Sequence, residues 1–155
     1  MRLRVIAAFD TGLRRAEMMA VQLKHVDFKP VTVDVDGEKR EVLRTLPPSA
    51  TKGGKSTGKP ESVFVGSERL KQALVPRRFE LGRNPDAFVF GKRDGRRQKS
   101  FRRMWHELFT LAELDWGRDK GVVWHTLRHE FTSRVLEKAD GDPVGLPRRW
   151  RAIRI

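Results

Sequence analysis

A chain of 155 residues is long enough for one domain with a buried core and too short for two. Hydrophobic residues make up 38% and charged residues 34%, outside the disordered class, and 33 Lys plus Arg against 20 Asp plus Glu give a net charge of +13 that calls for a polyanion, nucleic acid first. The absence of cysteine excludes disulfide staples and thiolate metal sites and fits a reducing cytosol, and no apolar run approaches the roughly 18 residues of a membrane span.

Residues 1–9 place Leu3, Ile6 and Ala7 at helical spacing, and Asp10-Thr11-Gly12 punctuates. A second helix is predicted from about Leu13 to Leu23, with Leu13, Met18, Ala20 and Val21 facing inward. Val31, Val33 and Val35 alternate with polar residues and read as a strand. Asp36-Gly37 is a two-residue hairpin signal, and a return strand follows from Lys39 to Leu46, stopped by Pro47-Pro48. Residues 49–61 hold three Gly and three Lys and read as an exposed loop. Val63-Phe64-Val65 is a short strand.

Ser67 is placed to cap a helix that stops before Pro76. Residues 77–86 are polar, Ala87-Phe88-Val89-Phe90 is a brief apolar run, and 91–97 form a basic turn. Ser100 caps the clearest helix, whose stripe is Phe101, Met104, Trp105, Leu108, Phe109 and Ala112. The last helix starts near Thr126, turns Leu127, Phe131, Val135 and Leu136 inward, and ends at Gly141-Asp142-Pro143. The tail beyond shows no periodicity. These elements predict an α+β fold, mainly helices around a small antiparallel sheet near residues 31–65.

Four basic positions invite a functional reading. Arg14 opens a helix beside Gly12, Lys52 lies in the Gly-rich loop, and His125 precedes Arg128 by three residues on nearly the same face. Arg supplies a two-pronged fork, Lys a proton for a leaving oxygen, and His a bond or a proton relay, the donors that stabilise a phosphoryl transition state. Against this stands the bland reading, in which an arginine of so basic a chain is a solvated surface charge and the Lys-rich loop is a linker. His125 and His129 are spaced i, i+4 as metal ligands can be, but Ser133 stands where HExxH needs its second histidine, so no metal site is assigned.

Order and context raise the functional reading. Residues 11–28, TGLRRAEMMAVQLKHVDF, closely resemble the first signature of the tyrosine recombinase (phage integrase) catalytic domain, and residues 124–133, WHTLRHEFTS, resemble its second, HxLRHTFAS. Between them stand the hairpin, a lysine turn at Thr51–Lys55, a stretch at 89–108 with RDGR and SFRRxW, and Leu114-Asp115. The resemblance covers about residues 1–140. It implies the mainly helical catalytic-domain fold of that family. It also implies cleavage of one DNA strand by a tyrosine, a 3′-phosphotyrosyl intermediate, and resolution by a 5′-hydroxyl, with no metal or nucleotide cofactor. Arg14 and Arg128 would clamp the scissile phosphate, His125 would bond it or assist proton transfer, and Lys52 would be the general acid, with Lys55 the competing assignment. Glu17 would orient Arg14. Lys55, Lys92, Arg93, Arg96 and Arg97 are the expected contacts to duplex DNA. Family members assemble as tetramers on DNA, and the expected location is the cytoplasm, with the nucleoid.

The departures are as informative. The family continues with a Leu-Gly-His box and the tyrosine, whereas the family-like text here stops near Ala139 and the 155 residues contain no tyrosine. Trp150, among arginines, is not assigned. The expectation is a partial catalytic domain over 1–140 with an unrelated basic tail over 141–155, a truncated or frameshifted fragment that is inactive alone. A non-enzymatic DNA-binding module and a nuclease using metal on His125 and His129 are the alternatives.

Overall fold

Helix α1 (Arg2–Thr11) lies at the centre of the fold, packing against the helices Trp124–Lys138, Glu68–Leu81 and Arg15–Met19 and the strand Val63–Val65. The computed structural model describes residues 1–35, 37–45, 63–65, 67–115 and 123–138. The helices are α1, α2 (Arg15–Met19), α3 (Glu68–Leu81), α4 (Arg102–Leu111) and α5 (Trp124–Lys138), with a 3-10 turn at Leu23–His25. The strands are β1 (Val26–Val35), β2 (Glu38–Thr45) and β3 (Val63–Val65). They form one antiparallel sheet in the order β1-β2-β3. This is the mixed, mainly helical fold with a small antiparallel sheet that the patterning implies.

The buried core joins all of these. Ala7 and Ala8 of α1 meet Met18, Val21, Val65, Leu70, Leu74 and Val89, and the aromatic stripe of α4 joins the same cluster. Phe101 packs tilted and Trp105 edge-on against Trp124, at 4.7 and 5.1 Å between ring centroids. Offset and tilted contacts of this kind are what the ring quadrupoles favour.

Several boundaries differ from the sequence reading, each for a physical reason. The helix expected over 13–23 is the short α2 followed by the 3-10 turn, because Leu23 and Lys24 donate their N–H groups to the carbonyls of Ala87 and Pro85 instead of continuing a helix. Val21 accepts from Val89 N in the same seam. Strand β1 starts at Val26, not Val31, and its register shifts between Asp27 and Val31. Pro30 sits in that irregularity, on an edge strand where its missing N–H is tolerated.

Helix α3 runs through Pro76 to Leu81 rather than stopping before it. Pro76 is exposed, and the turn beyond it is held by Arg77, whose Nε donates to Val89 O at 2.9 Å, and by buried Leu81. Ser67 caps α3 as expected, accepting from Leu70 N at 3.4 Å. Ser100 accepts from Arg102 N at 3.3 Å, while Phe101 occupies the cap position itself. Ala112, expected inward, is exposed past the end of α4. Helix α5 begins two residues earlier than expected, and Val135 and Leu136 are only half-buried. Asp36, the loop over 49–61 and the tail from 139 lie outside the described residues.

Two buried arginines set the basic turn. Arg4 of α1 donates from Nε to Phe90 O at 2.8 Å and from Nη2 to Gly91 O at 2.7 Å. Arg77 donates to the carbonyls of Phe88, Val89, Lys92 and Arg93. The segment therefore presents exposed Lys92, Arg93, Arg96 and Arg97 from a backbone fixed underneath by guanidinium forks.

At the end of α1, the buried Asp10 carboxylate accepts from Ser67 Oγ at 2.5 Å and from Arg69 Nε at 2.8 Å. Burial alone would raise its pKa, but the hydrogen bonds from Arg69 and Ser67 and the charges of Arg69 and Arg134 hold it below the usual carboxylate value. A depressed carboxylate stabilises the fold above its unfolded pKa, and that stabilisation is lost as pH falls through the lower folded value. Asp10→Asn is therefore expected to lower stability by about 2 kcal/mol at neutral pH, measured by urea denaturation. The difference from the parent should shrink in acid, below about pH 4.

Candidate functional site

The turn after α1 brings the first two candidates together. Gly12 ends the helix in the left-handed region, at φ 61°, with its N–H bonded to Ala8 O at 3.2 Å. A glycine is the residue that adopts this conformation without strain. The chain then re-enters a helix at Arg14. Glu17 folds back on it twice: Oε2 accepts from Arg14 N at 2.9 Å, and Oε1 accepts from Arg14 Nη1 at 3.0 Å. The first bond caps α2. The second fixes the guanidinium, which remains 39% exposed.

Helix α5 delivers the other two. Leu127 and Phe131 bury one face, which leaves His125 and His129 exposed and Arg128 half-buried between. Arg128 Nη1 donates to Gly12 O, so an arginine of the second motif bonds the backbone of the first across 116 residues of sequence. Phe131, one turn on, packs its ring where a Cβ on Gly12 would lie. Arg134 continues the seam, donating to Phe9 O at 2.7 Å with its guanidinium over the Phe9 ring at 5.2 Å.

The electrostatics record how close the cations are. Burial lowers the proton affinity of Arg128, the neighbouring charge of Arg14 lowers it further, and Glu17 opposes both. Burial likewise holds His125 below the usual imidazole pKa, helped by His129, Arg128 and Arg14. Three positive or protonatable groups thus lie within electrostatic reach of one another, with the Glu17 carboxylate bonded to one of them, an arrangement suited to an anion.

His125 and His129 meet edge to face, with ring centroids 4.8 Å apart. Among the described residues no group of three or more His, Asp or Glu comes together as a metal site. Lys52 and Lys55 lie outside the described residues. Lys92, Arg93, Arg96 and Arg97 are exposed on the turn pinned by Arg4 and Arg77. Gly12 O, Phe131 and Arg134 were not singled out by sequence reasoning as partners of the site. The signal was present only as a glycine two residues before Arg14 and an aromatic three residues after Arg128.

The comparisons concern the family and the fold. The family model described as the phage integrase family matches residues 2–144. No curated protein matches. Among solved structures, the integrase of transposon Tn1549 in complex with transposon right end DNA superposes with a TM-score of 0.59 at 18% identity, covering 96% of this chain and 49% of that one. The same integrase in two complexes with circular intermediate DNA gives TM-scores of 0.60 and 0.58 at 18% and 19% identity, covering 98% and 99% of this chain and 50% of each of those. The chain thus shares their fold and spans about half their length. Among the described residues, no helix is long and apolar enough to cross a membrane.

Two outcomes test the geometry. Gly12→Ala forces a positive φ on a Cβ that collides with Phe131, and should lower stability by at least about 2 kcal/mol, read by urea denaturation. His125, with its pKa depressed by folding, stabilises the fold above the unfolded value of about 6.5 and loses that contribution as pH falls towards the folded value. An anion among Arg14, His125 and Arg128 reverses the shift. By NMR, the His125 midpoint should lie below about 6.5 in the free protein and rise when inorganic phosphate is added; a midpoint indifferent to phosphate counts against an anion site.

Proposed function

The chain belongs to the phage integrase family, and we propose that it is the catalytic-type domain of a site-specific DNA recombinase, with Arg14, His125 and Arg128 gripping the phosphate to be cut in duplex DNA. The observation that carries this is the bond from Arg128 Nη1 to Gly12 O, two residues before the Arg14 that Glu17 aims, which brings the arginines of the two motifs to one turn where a phosphate can meet both. The net charge of +13 and the exposed basic turn supply the non-specific grip on the flanking duplex.

In this reading the two guanidinium groups hold the non-bridging phosphate oxygens in fixed forks. Arg128 is aimed by Gly12 O, and Arg14 by Glu17 Oε1. His125 donates one hydrogen bond to the phosphate or carries a proton. A tyrosine hydroxyl attacks phosphorus, and the 5′-oxygen leaves with a proton from Lys52 or, failing that, Lys55. The 155 residues hold no tyrosine, so the nucleophile must come from outside them. Assembly as a tetramer on DNA and residence with the nucleoid belong to the same proposal, as does the division into a domain over 1–140 and a basic tail.

The lack of tyrosine also favours a second reading, a DNA-binding module without cleavage. A suicide DNA substrate, denaturing electrophoresis and a chimera separate the two. These 155 residues alone should bind duplex weakly, with a Kd of roughly 10⁻⁴–10⁻⁶ M and a steep salt dependence, and give no covalent band. Joining a tyrosine-bearing integrase C-terminal segment after residue 139 should produce the band, in chelator as well, and Arg14→Ala or Arg128→Ala should abolish it. A folded chimera that binds DNA but never forms the band leaves the module reading standing.

A further inference from the structure

Six consecutive carbonyls, from Phe88 to Arg93, are held by two buried guanidinium groups. Arg4 of α1 takes Phe90 O and Gly91 O, and Arg77 of α3 takes those of Phe88, Val89, Lys92 and Arg93. Burial lowers the proton affinity of Arg4, and the charge of Arg77 lowers it further, so the two cations repel each other. Among the described residues the one carboxylate bonded to either is that of Glu80, which accepts from Arg77 Nη1 at 2.9 Å and is itself exposed. An apolar pair could fill the same space without desolvating two charges, but it could not turn six carbonyls inward.

Carbonyls turned inward turn their amides outward. The described peptide bonds are trans, so the N–H of Arg93 points away from the Lys92 carbonyl and the N–H of Asp94 away from the Arg93 carbonyl. Arg77 holds both of those carbonyls, that of Arg93 from Nη1 at 3.1 Å and that of Lys92 from Nη2. Among the described residues neither amide has an acceptor. The turn is closed by Lys92 N donating to Arg96 O at 2.8 Å and Gly95 N donating to Lys92 O at 3.0 Å. Asp94, the one acid in the turn, is engaged by Arg96, which donates from N and Nε to its two carboxylate oxygens at 3.0 and 2.6 Å. Two adjacent outward amides are left beside the exposed side chains of Lys92 and Arg93.

We propose that Arg77 is a positioning residue for duplex binding, holding the turn Lys92–Arg96 so that the main-chain N–H groups of Arg93 and Asp94, with the Lys92 and Arg93 side chains, meet one phosphate of the DNA backbone. A phosphodiester brings two non-bridging oxygens to the two amides and a negative charge to the two cations. Main-chain donors on a phosphate carry no sequence information, so the contact sets register on the duplex and not base preference. The proposal rests on the duplex-binding reading of the basic turn and adds the buried residue on which that turn depends.

The first test uses the unaltered, isotope-labelled protein. Titration with a short random-sequence duplex should move the NMR amide signals of Arg93 and Asp94; amides at 93 and 94 that stay still in a protein that binds the duplex overturn the proposal. Arg77→Lys keeps the charge but replaces the fork by one ammonium, which cannot hold four carbonyls. It should weaken duplex binding roughly fivefold at about 0.15 M salt and flatten the salt slope by about 0.9, the share of one phosphate contact. Leu74→Val, a core change on the same helix, should lower stability and leave affinity and slope as in the parent, because lost stability removes no contact from the folded protein. Parent values in Arg77→Lys overturn the positioning role. Lys92→Gln combined with Arg93→Gln separates this proposal from the reading it rests on. If the double variant keeps parent affinity and slope, the turn makes no contact, and the duplex reading of the turn falls together with the proposal. If it weakens binding while Arg77→Lys does not, the turn binds DNA and the role of Arg77 alone falls. Should Arg77→Lys fail to fold, the amide titration decides.

Discussion

The last turn of α1 and the Gly12 that ends it tie the helices of this fold together. Four consecutive residues there are each tied down, two by α5, one by the start of α3 and one by α1 itself. Phe9 O accepts from Arg134 of α5, Asp10 holds Ser67 and Arg69 at the start of α3, Thr11 returns its hydroxyl to Ala7 O at 2.6 Å, and Gly12 O accepts from Arg128. Thr11 Oγ1 also accepts from Leu13 N, which sets the exit of the chain toward Arg14. The constraint is steric as well as polar. The positive φ of Gly12 lets its backbone approach the Phe131 ring without a Cβ in between. Once α1, α3 and α5 are locked on this turn, Arg14 and Arg128 have little freedom to be anywhere but beside each other.

That placement runs against local electrostatics. Two guanidinium groups and an imidazole gathered in a chain of net charge +13 repel one another, and Glu17 is the one carboxylate with a described contact to the cluster. A stability-driven sequence would separate them or add acid. Places where a chain breaks such a rule, while its core obeys the others, are where function is expected. The core here is ordinary, with small alanines where α1 is crossed, aromatic rings where α4 and α5 meet, and capped helix starts at Arg14 and Ser67.

How much of this the sequence could carry follows from the range of each interaction. The hairpin about residues 36–37 and the stripe of α4 are local patterns, and both were legible: Val35 pairs with Glu38, and Phe101, Trp105 and Phe109 are buried. The run through Pro76 was not, because what sustains α3 there is Arg77 reaching a loop twelve residues later. Nor was the shortness of α2, whose continuation is captured by carbonyls at 85 and 87. The candidate residues of the site were legible because two short motifs each carry their own arginine. Their mutual aim was not, since it depends on a backbone carbonyl and a ring, neither of which has a spacing rule.

Basic residues are so common here that their count says little about any one of them. What separates them is where their donors go. Arg4 and Arg77 spend theirs on backbone carbonyls in the interior and so act as struts under the 88–93 segment. Arg134 does the same for α5 with Phe9. Arg128 has five N–H donors like any arginine, yet among the described residues one bond, to Gly12 O, aims it. Arg14 is aimed in the same way by Glu17 Oε1, and its guanidinium stays open to solvent. A guanidinium anchored at one corner, with no other hydrogen bond among the described residues, is preorganised for a ligand that brings several oxygens at once. Two such forks, half-buried and side by side, match the non-bridging oxygens of a phosphodiester better than a lone carboxylate, which one fork would satisfy.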